Sequence, residues 1–99
     1  MSMVGWMRKH FGITEDEQGV LKLLGRTYKP GATTSVTVLI KDSAGKVLLC
    51  TGTTVPTDTE AGYAKGCLMI DTDVAAGTTG LYVNVGTTTS CNFDAVLDA

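Results

Sequence analysis

Residues 62–96 read GYAKGCLMIDTDVAAGTTGLYVNVGTTTSCNFDAV, and this stretch decides the fold class. Cys67–Thr72 is a short apolar run closed by Asp71, Thr72 and Asp73. Leu81–Val85 alternates, with Leu81, Val83 and Val85 on one face and Tyr82 and Asn84 on the other. That is the period of two expected of a half-buried strand. Between the two runs, residues 73–80 supply Asp, Ala, Gly and Thr, and Gly77 and Gly80 can take positive φ. The segment after Val85 (Gly86, Thr87, Thr88, Thr89, Ser90) ends the second strand, and Phe93 and Val96 can fold back onto the pair. The stretch therefore predicts a β-hairpin.

Upstream, Thr33–Lys41 predicts another strand, with Val36, Val38 and Ile40 alternating against Ser35, Thr37 and Leu39. Asp42, Ser43, Ala44 and Gly45 form a four-residue hairpin loop, and Lys46–Thr51 returns as the partner strand. That partner is apolar through Val47, Leu48, Leu49 and Cys50, as for a strand buried on both faces. Residues 52–61 make a Thr-rich connector between the two hairpins. The class expected is mainly β: a small antiparallel sandwich or barrel of two hairpins with a short N-terminal arm.

The arm, residues 1–30, is separated from the β domain, residues 31–99, at the turn Lys29-Pro30-Gly31. Ser2–Phe11 has the pattern of a short helix: Ser2 can cap it, Met3, Val4, Met7 and Phe11 share a stripe, Trp6 flanks that stripe, and Gly12 is a stop. A helix this short is marginal alone and must dock on something, either its own domain or a partner. Thr14 to Glu17 has the spacing of a capping box. Gly19 weakens a helix interior, so Val20–Leu24 either completes a helix or forms a strand; the residues leave both open. Residues 1–30 carry five Lys/Arg against three Asp/Glu, and residues 31–99 carry three against seven. Opposite balances at the two ends suggest two surfaces with different tasks.

Ninety-nine residues make one domain. A chain of this size buries roughly 65% of its unfolded surface, a thin core that oligomerisation would supplement. Sixteen threonines and twelve glycines against two prolines favour strands and turns. A net charge of −2 gives no electrostatic case for nucleic acid. Residues 1–11 lack the apolar centre of a signal peptide, and no run approaches the ~20 apolar residues of a membrane span.

Chemistry has few footholds. Cys50, Cys67 and Cys91 are too widely spaced for a zinc ribbon or redox pair and are expected as reduced, buried small hydrophobes. His10 is the only histidine, which leaves no nucleophile–histidine pair outside the arm. Ser43-x-x-Lys46 matches a penicillin-recognising string, but in a hairpin turn it lacks the helix that motif needs. Asp71 and Asp73, with Asp58 and Glu60 nearby, have the oxygen chemistry of a calcium site, and strand-end capping accounts for them more simply. No catalytic, cofactor or metal residue is assigned. Trp6, Tyr63, Tyr82 and Phe93 are too scattered for a base-stacking platform. The candidate protein interface is Met3, Val4, Trp6, Met7 and Phe11, with Tyr82 on the polar side of its strand.

The runs Val55-Pro56-Thr57-Asp58, Gly62-Tyr63-Ala64-Lys65-Gly66, Ile70-Asp71-Thr72, Leu81–Thr87 and Ser90-Cys91-Asn92-Phe93 resemble a segment that recurs in bacteriophage virion proteins of the capsid decoration and head-fibre type. The resemblance covers the C-terminal half. It implies a non-enzymatic structural protein, made in the host cytoplasm and carried on the capsid surface of the virion. Its implied partners are the major capsid protein and further copies of itself, a trimer foremost, with no cofactor, nucleic acid or membrane. The other reading is a host- or glycan-binding adhesion module of a phage fibre or tail, with which Thr-rich loops and a tyrosine are compatible.

Overall fold

The computed structural model describes residues 13–15 and 17–96. The mainly β expectation holds: eight strands form a two-stranded and a six-stranded sheet, with no helix among the described residues. Strands β1 (Ile13–Glu15) and β2 (Leu21–Leu23) pair as a small antiparallel hairpin. This corrects the capping-box reading, because Thr14 and Glu15 lie in a strand. Gly19, at φ +81°, serves the turn instead of weakening a helix.

The large sheet runs in chain order: β3 (Arg26–Tyr28), β4 (Val36–Lys41), β5 (Val47–Gly52), β6 (Tyr63–Asp71), β7 (Leu81–Asn84) and β8 (Phe93–Ala95). Both predicted hairpins are present, as β4–β5 and β6–β7, and they lie side by side. They are joined by a parallel pairing of β5 with β6, so the sheet is mixed and not wholly antiparallel. Parallel neighbours require a crossover connection, which residues 53–62 supply. The Lys29-Pro30-Gly31 turn lies between two strands of this sheet, since β3 upstream of it pairs with β4.

The first hairpin turns where its residues allow. Asp42 Oδ1 accepts the amides of Ala44 at 3.0 Å and Lys46 at 2.9 Å, and Gly45 takes φ +82°. This is an Asx-type turn, in which the side chain mimics the missing backbone partner.

The core lies on one face of the sheet. Val36, Val38, Val47, Cys50, Tyr63, Cys67, Met69, Cys91 and Phe93 form one buried cluster, against which Tyr28, Val55 and Tyr82 pack. No second layer of regular structure covers it among the described residues. Connectors do so instead, with Thr34, Pro56, Glu60 and Cys91 buried.

Candidate functional site: the two faces of the sheet

The inner face is held by two polar hubs. Glu60, 6% exposed, receives the Thr34 amide on Oε1 at 3.0 Å. Its Oε2 accepts the Thr34 hydroxyl at 2.6 Å and the Thr57 amide at 2.7 Å, while its carbonyl accepts the Cys91 amide at 2.9 Å. Burial alone would raise its pKa, but the hydrogen bonds from Thr34 and Thr57 outweigh it, and the carboxyl is held below its ordinary value. Glu60 thus ties three connectors together: its carboxylate joins its own to the one carrying Thr34, and its carbonyl holds the one carrying Cys91. The chain must come very close to do this: a Cβ on Gly31 would lie 2.6 Å from Glu60 Cβ.

Asn84, 1% exposed, is the second hub. Its Nδ2 donates to the Ala64 carbonyl at 2.9 Å, and its Oδ1 accepts the amides of Gly86 and Asn92, both at 2.9 Å. The turn this closes leaves no room at Gly86, where a Cβ would overlap the Ser90 carbonyl and lie 2.8 Å from the Asn92 nitrogen.

Three free thiols share this interior. Cys50 and Cys67 both point toward the Leu68 carbonyl, at 3.8 and 3.7 Å, and Cys91 donates to the Thr57 carbonyl at 3.2 Å. The Cys67 thiol is pushed up by its hydrogen bond to Cys50 and by burial; burial also raises Cys91. Neither is a reactive thiolate. Tyr63 is fully buried, meets Phe93 edge to face at 5.2 Å, and its hydroxyl has no hydrogen-bond partner among the described residues. Its pKa is raised, chiefly by burial.

The outer face is different. Pairing sets side chains into rows across the strands. Ile40, Leu49, Leu68 and Val83 form one row, and Ile70, Leu81 and Val96 continue another that begins at Thr27, Thr37 and Thr51. Leu68, Ile70, Leu81, Val85 and Val96 are each between 37% and 48% exposed. This is a contiguous aliphatic surface over strands β4 to β8. At its β3 corner it gives way to a hydroxyl-lined groove of about 290 Å³, bordered by Thr27, Ser35, Thr37, Thr51, Thr53 and Thr72.

The sense of the alternation in β7 is therefore inverted. Tyr82 and Asn84, the polar side in sequence, face inward, and Leu81, Val83 and Val85 face out. Tyr82 is half-buried and packs on the core. The other candidate interface residues, Met3, Val4, Trp6, Met7 and Phe11, lie outside the described residues, as does His10. Strand β5 is not buried on both faces either: Leu48 is 38% exposed, because nothing among the described residues packs on that side. Asp71 Oδ1 accepts the Asp73 amide at 2.9 Å, a strand-end cap, and Glu60 is turned to Thr34 and Thr57. Among the described residues no group of three or more His, Cys, Asp or Glu is placed to hold a metal ion. Ser43 sits exposed in the Asp42–Gly45 loop.

The residues that sequence reading missed are Glu60 and the pair Leu68 and Ile70. A signal for the latter existed. Leu68 and Ile70 alternate with Cys67 and Met69 as Leu81 and Val83 do with Tyr82 and Asn84, so one apolar face had to be left over. No family model matches this chain, and no curated protein or solved structure does.

Proposed function

We propose that this chain is a non-enzymatic structural protein of a phage virion, a capsid decoration or head-fibre subunit that docks on the shell. The observation that carries the reading is the outer face of the sheet. An aliphatic surface of several adjoining side chains, rimmed by polar residues, is what protein-binding surfaces present. The resemblance of the C-terminal half to virion decoration and head-fibre proteins supplies the kind of partner, the major capsid protein, with further copies of the chain beside it. Its mechanism is burial: a subunit that binds only the assembled shell stabilises that shell by mass action.

Co-sedimentation with expanded empty capsids of its own phage tests this. The wild-type protein is expected to pellet with the capsids, and Ile70→Lys and Leu81→Lys to remain in the supernatant while still folded. Wild-type protein that stays in the supernatant, or charged variants that pellet as well as wild type, would overturn the reading. The adhesion alternative draws on the hydroxyl-lined groove at Thr27, Thr37 and Thr51, whose donors and acceptors suit a neutral sugar. Binding to host cells or glycans, lost in Thr51→Val, would favour it.

A further inference from the structure

The hydroxyl-lined groove at the β3 corner continues past its own walls. A second cavity of about 370 Å³ opens beside it, bounded by Thr33, Thr34, Ser35, Thr53, Thr54 and Thr57. Ser35 and Thr53 border both cavities, so the two form one trough. Joined, they lie inside the ~300–1,000 Å³ range of ligand sites. The trough opens where β4 and β5 part: Thr37 and Thr51 are the outermost pair of their ladder at this end.

We propose that this trough binds a neutral oligosaccharide, with one sugar unit in each cavity. Three observations carry the inference. The first is the make-up of the wall. Apart from Val36 and Gly52, every residue lining the two cavities is a threonine or a serine, and none is ionisable. A wall without charge offers no paired hydrogen bond to a phosphate or a carboxylate, and one without an apolar floor offers little to a lipid. A hydroxyl both donates and accepts, which matches the hydroxyls of a sugar, and threonine methyls can meet its C–H faces.

The second is availability. The hydroxyls of Ser35, Thr51, Thr53 and Thr54 make no hydrogen bond to another of the described residues, so both cavities have groups open to a ligand.

The third is that the walls are fixed in advance. On the second cavity, Thr34 and Thr57 are held by the buried Glu60 carboxylate, whose Oε2 accepts the Thr34 hydroxyl at 2.6 Å and the Thr57 amide at 2.7 Å. On the first, the Thr27 and Thr37 hydroxyls bond to each other at 2.8 Å. There the Thr72 amide and hydroxyl also donate to the Gly52 carbonyl, at 2.8 and 3.2 Å. Walls set before the ligand arrives lower the ordering cost of binding. The inference stands apart from the docking reading. It deepens the adhesion alternative, on which it rests for the use of the site, by adding a second unit to the ligand.

Amide spectra of the isotopically labelled full-length protein test it, titrated with neutral hexose and N-acetylhexosamine monomers, dimers and trimers. Dimers are expected to shift the Gly52, Thr53 and Thr54 amides together and to bind at least several-fold more tightly than monomers. Thr51→Val and Thr54→Val each remove one hydroxyl, from the first and the second cavity respectively. Each is expected to weaken the dimer several-fold with an unchanged far-ultraviolet dichroism spectrum, and Thr54→Val to abolish the gain from the second unit. No shift at millimolar dimer or trimer, or dimers bound no more tightly than monomers, would overturn the proposal. So would a sialylated oligomer bound more tightly than its neutral parent. Host-cell binding lost in Thr51→Val but untouched by Thr54→Val would overturn the two-cavity site and keep the adhesion reading. Dimers held in the trough of a protein that binds no cells would do the reverse. No capsid enters the measurement, so the sedimentation result stands or falls separately.

Discussion

Met69 and Ile70 are neighbours in β6, yet Met69 is fully buried and Ile70 is 43% exposed. The same holds for Cys67 against Leu68 and for Asn84 against Val85. Both faces of the sheet are rich in apolar residues, so hydropathy does not separate them. What separates them is cover. The inner face has connectors whose polar groups are satisfied by Glu60 and Asn84, and the outer face has none among the described residues. A surface can be a core or an interface with nearly the same side chains; the loops decide which.

Paired substitutions on either side of β6 test this contrast most severely. Met69→Ala is expected to cost about 2–5 kcal/mol, the transfer loss plus a cavity. Ile70→Thr, one residue away, should stay within about 0.5 kcal/mol. Denaturant unfolding of both variants measures the difference, and equal losses would mean that the outer face contributes as much to the subunit's own fold as the inner.

The cover itself comes next. Glu60→Gln keeps the shape but removes the charge and sets an amide N–H₂ against donors, at an expected cost of about 1.5–3 kcal/mol. The sign with pH follows from the lowered pKa. The stabilisation is fully present above the ordinary carboxyl value of 4.5 and is lost as pH falls through the lower folded value. The gap between wild type and Glu60→Gln should therefore narrow on acidification; a gap that is constant with pH would place the loss in the mismatched amide and not in the charge.

The smallest effect is a gain. Tyr63→Phe removes a buried hydroxyl that has no partner among the described residues, so stability should rise by about 1 kcal/mol or stay unchanged. A loss above about 1 kcal/mol in thermal unfolding would mean that the hydroxyl is satisfied in solution, and the inner face would then be wetter than its packing suggests.

The sequence made the two hairpins legible because their signals are local. Asp42 and Gly45 mark one turn, and alternation marks the strands on either side. The β5–β6 seam was not legible, since parallel pairing depends on residues on either side of a crossover and leaves no period of its own. The faces of β7 come out inverted because polarity is a poor guide to exposure there. Asn84 is polar yet buried, its amide matched to Ala64, Gly86 and Asn92, and no hydropathy pattern reports a satisfied hydrogen bond. Glu60 looks in sequence like an acid near a possible cation site for the same reason: the partners that bury it, Thr34 and Thr57, stand on different connectors. The apolar outer face was half visible, as the face of Leu81, Val83 and Val85; its continuation through Leu68 and Ile70 needed the register.

The Glu60 hub has a kinetic consequence. The hairpins need only local closure, on a scale of about 1–10 μs for each. Glu60 holds residue 34 through its carboxylate and residue 91 through its carbonyl, and these two contacts form only once the strands that carry those connectors stand side by side. The hub therefore belongs to the late side of the folding barrier. Loosening it shortens the lifetime of the native state while leaving the rate of reaching it nearly untouched, so Glu60 variants should move the unfolding limb of a chevron and spare the folding limb. The endurance of the folded chain then depends on one residue under the loops as well as on the strands it fastens.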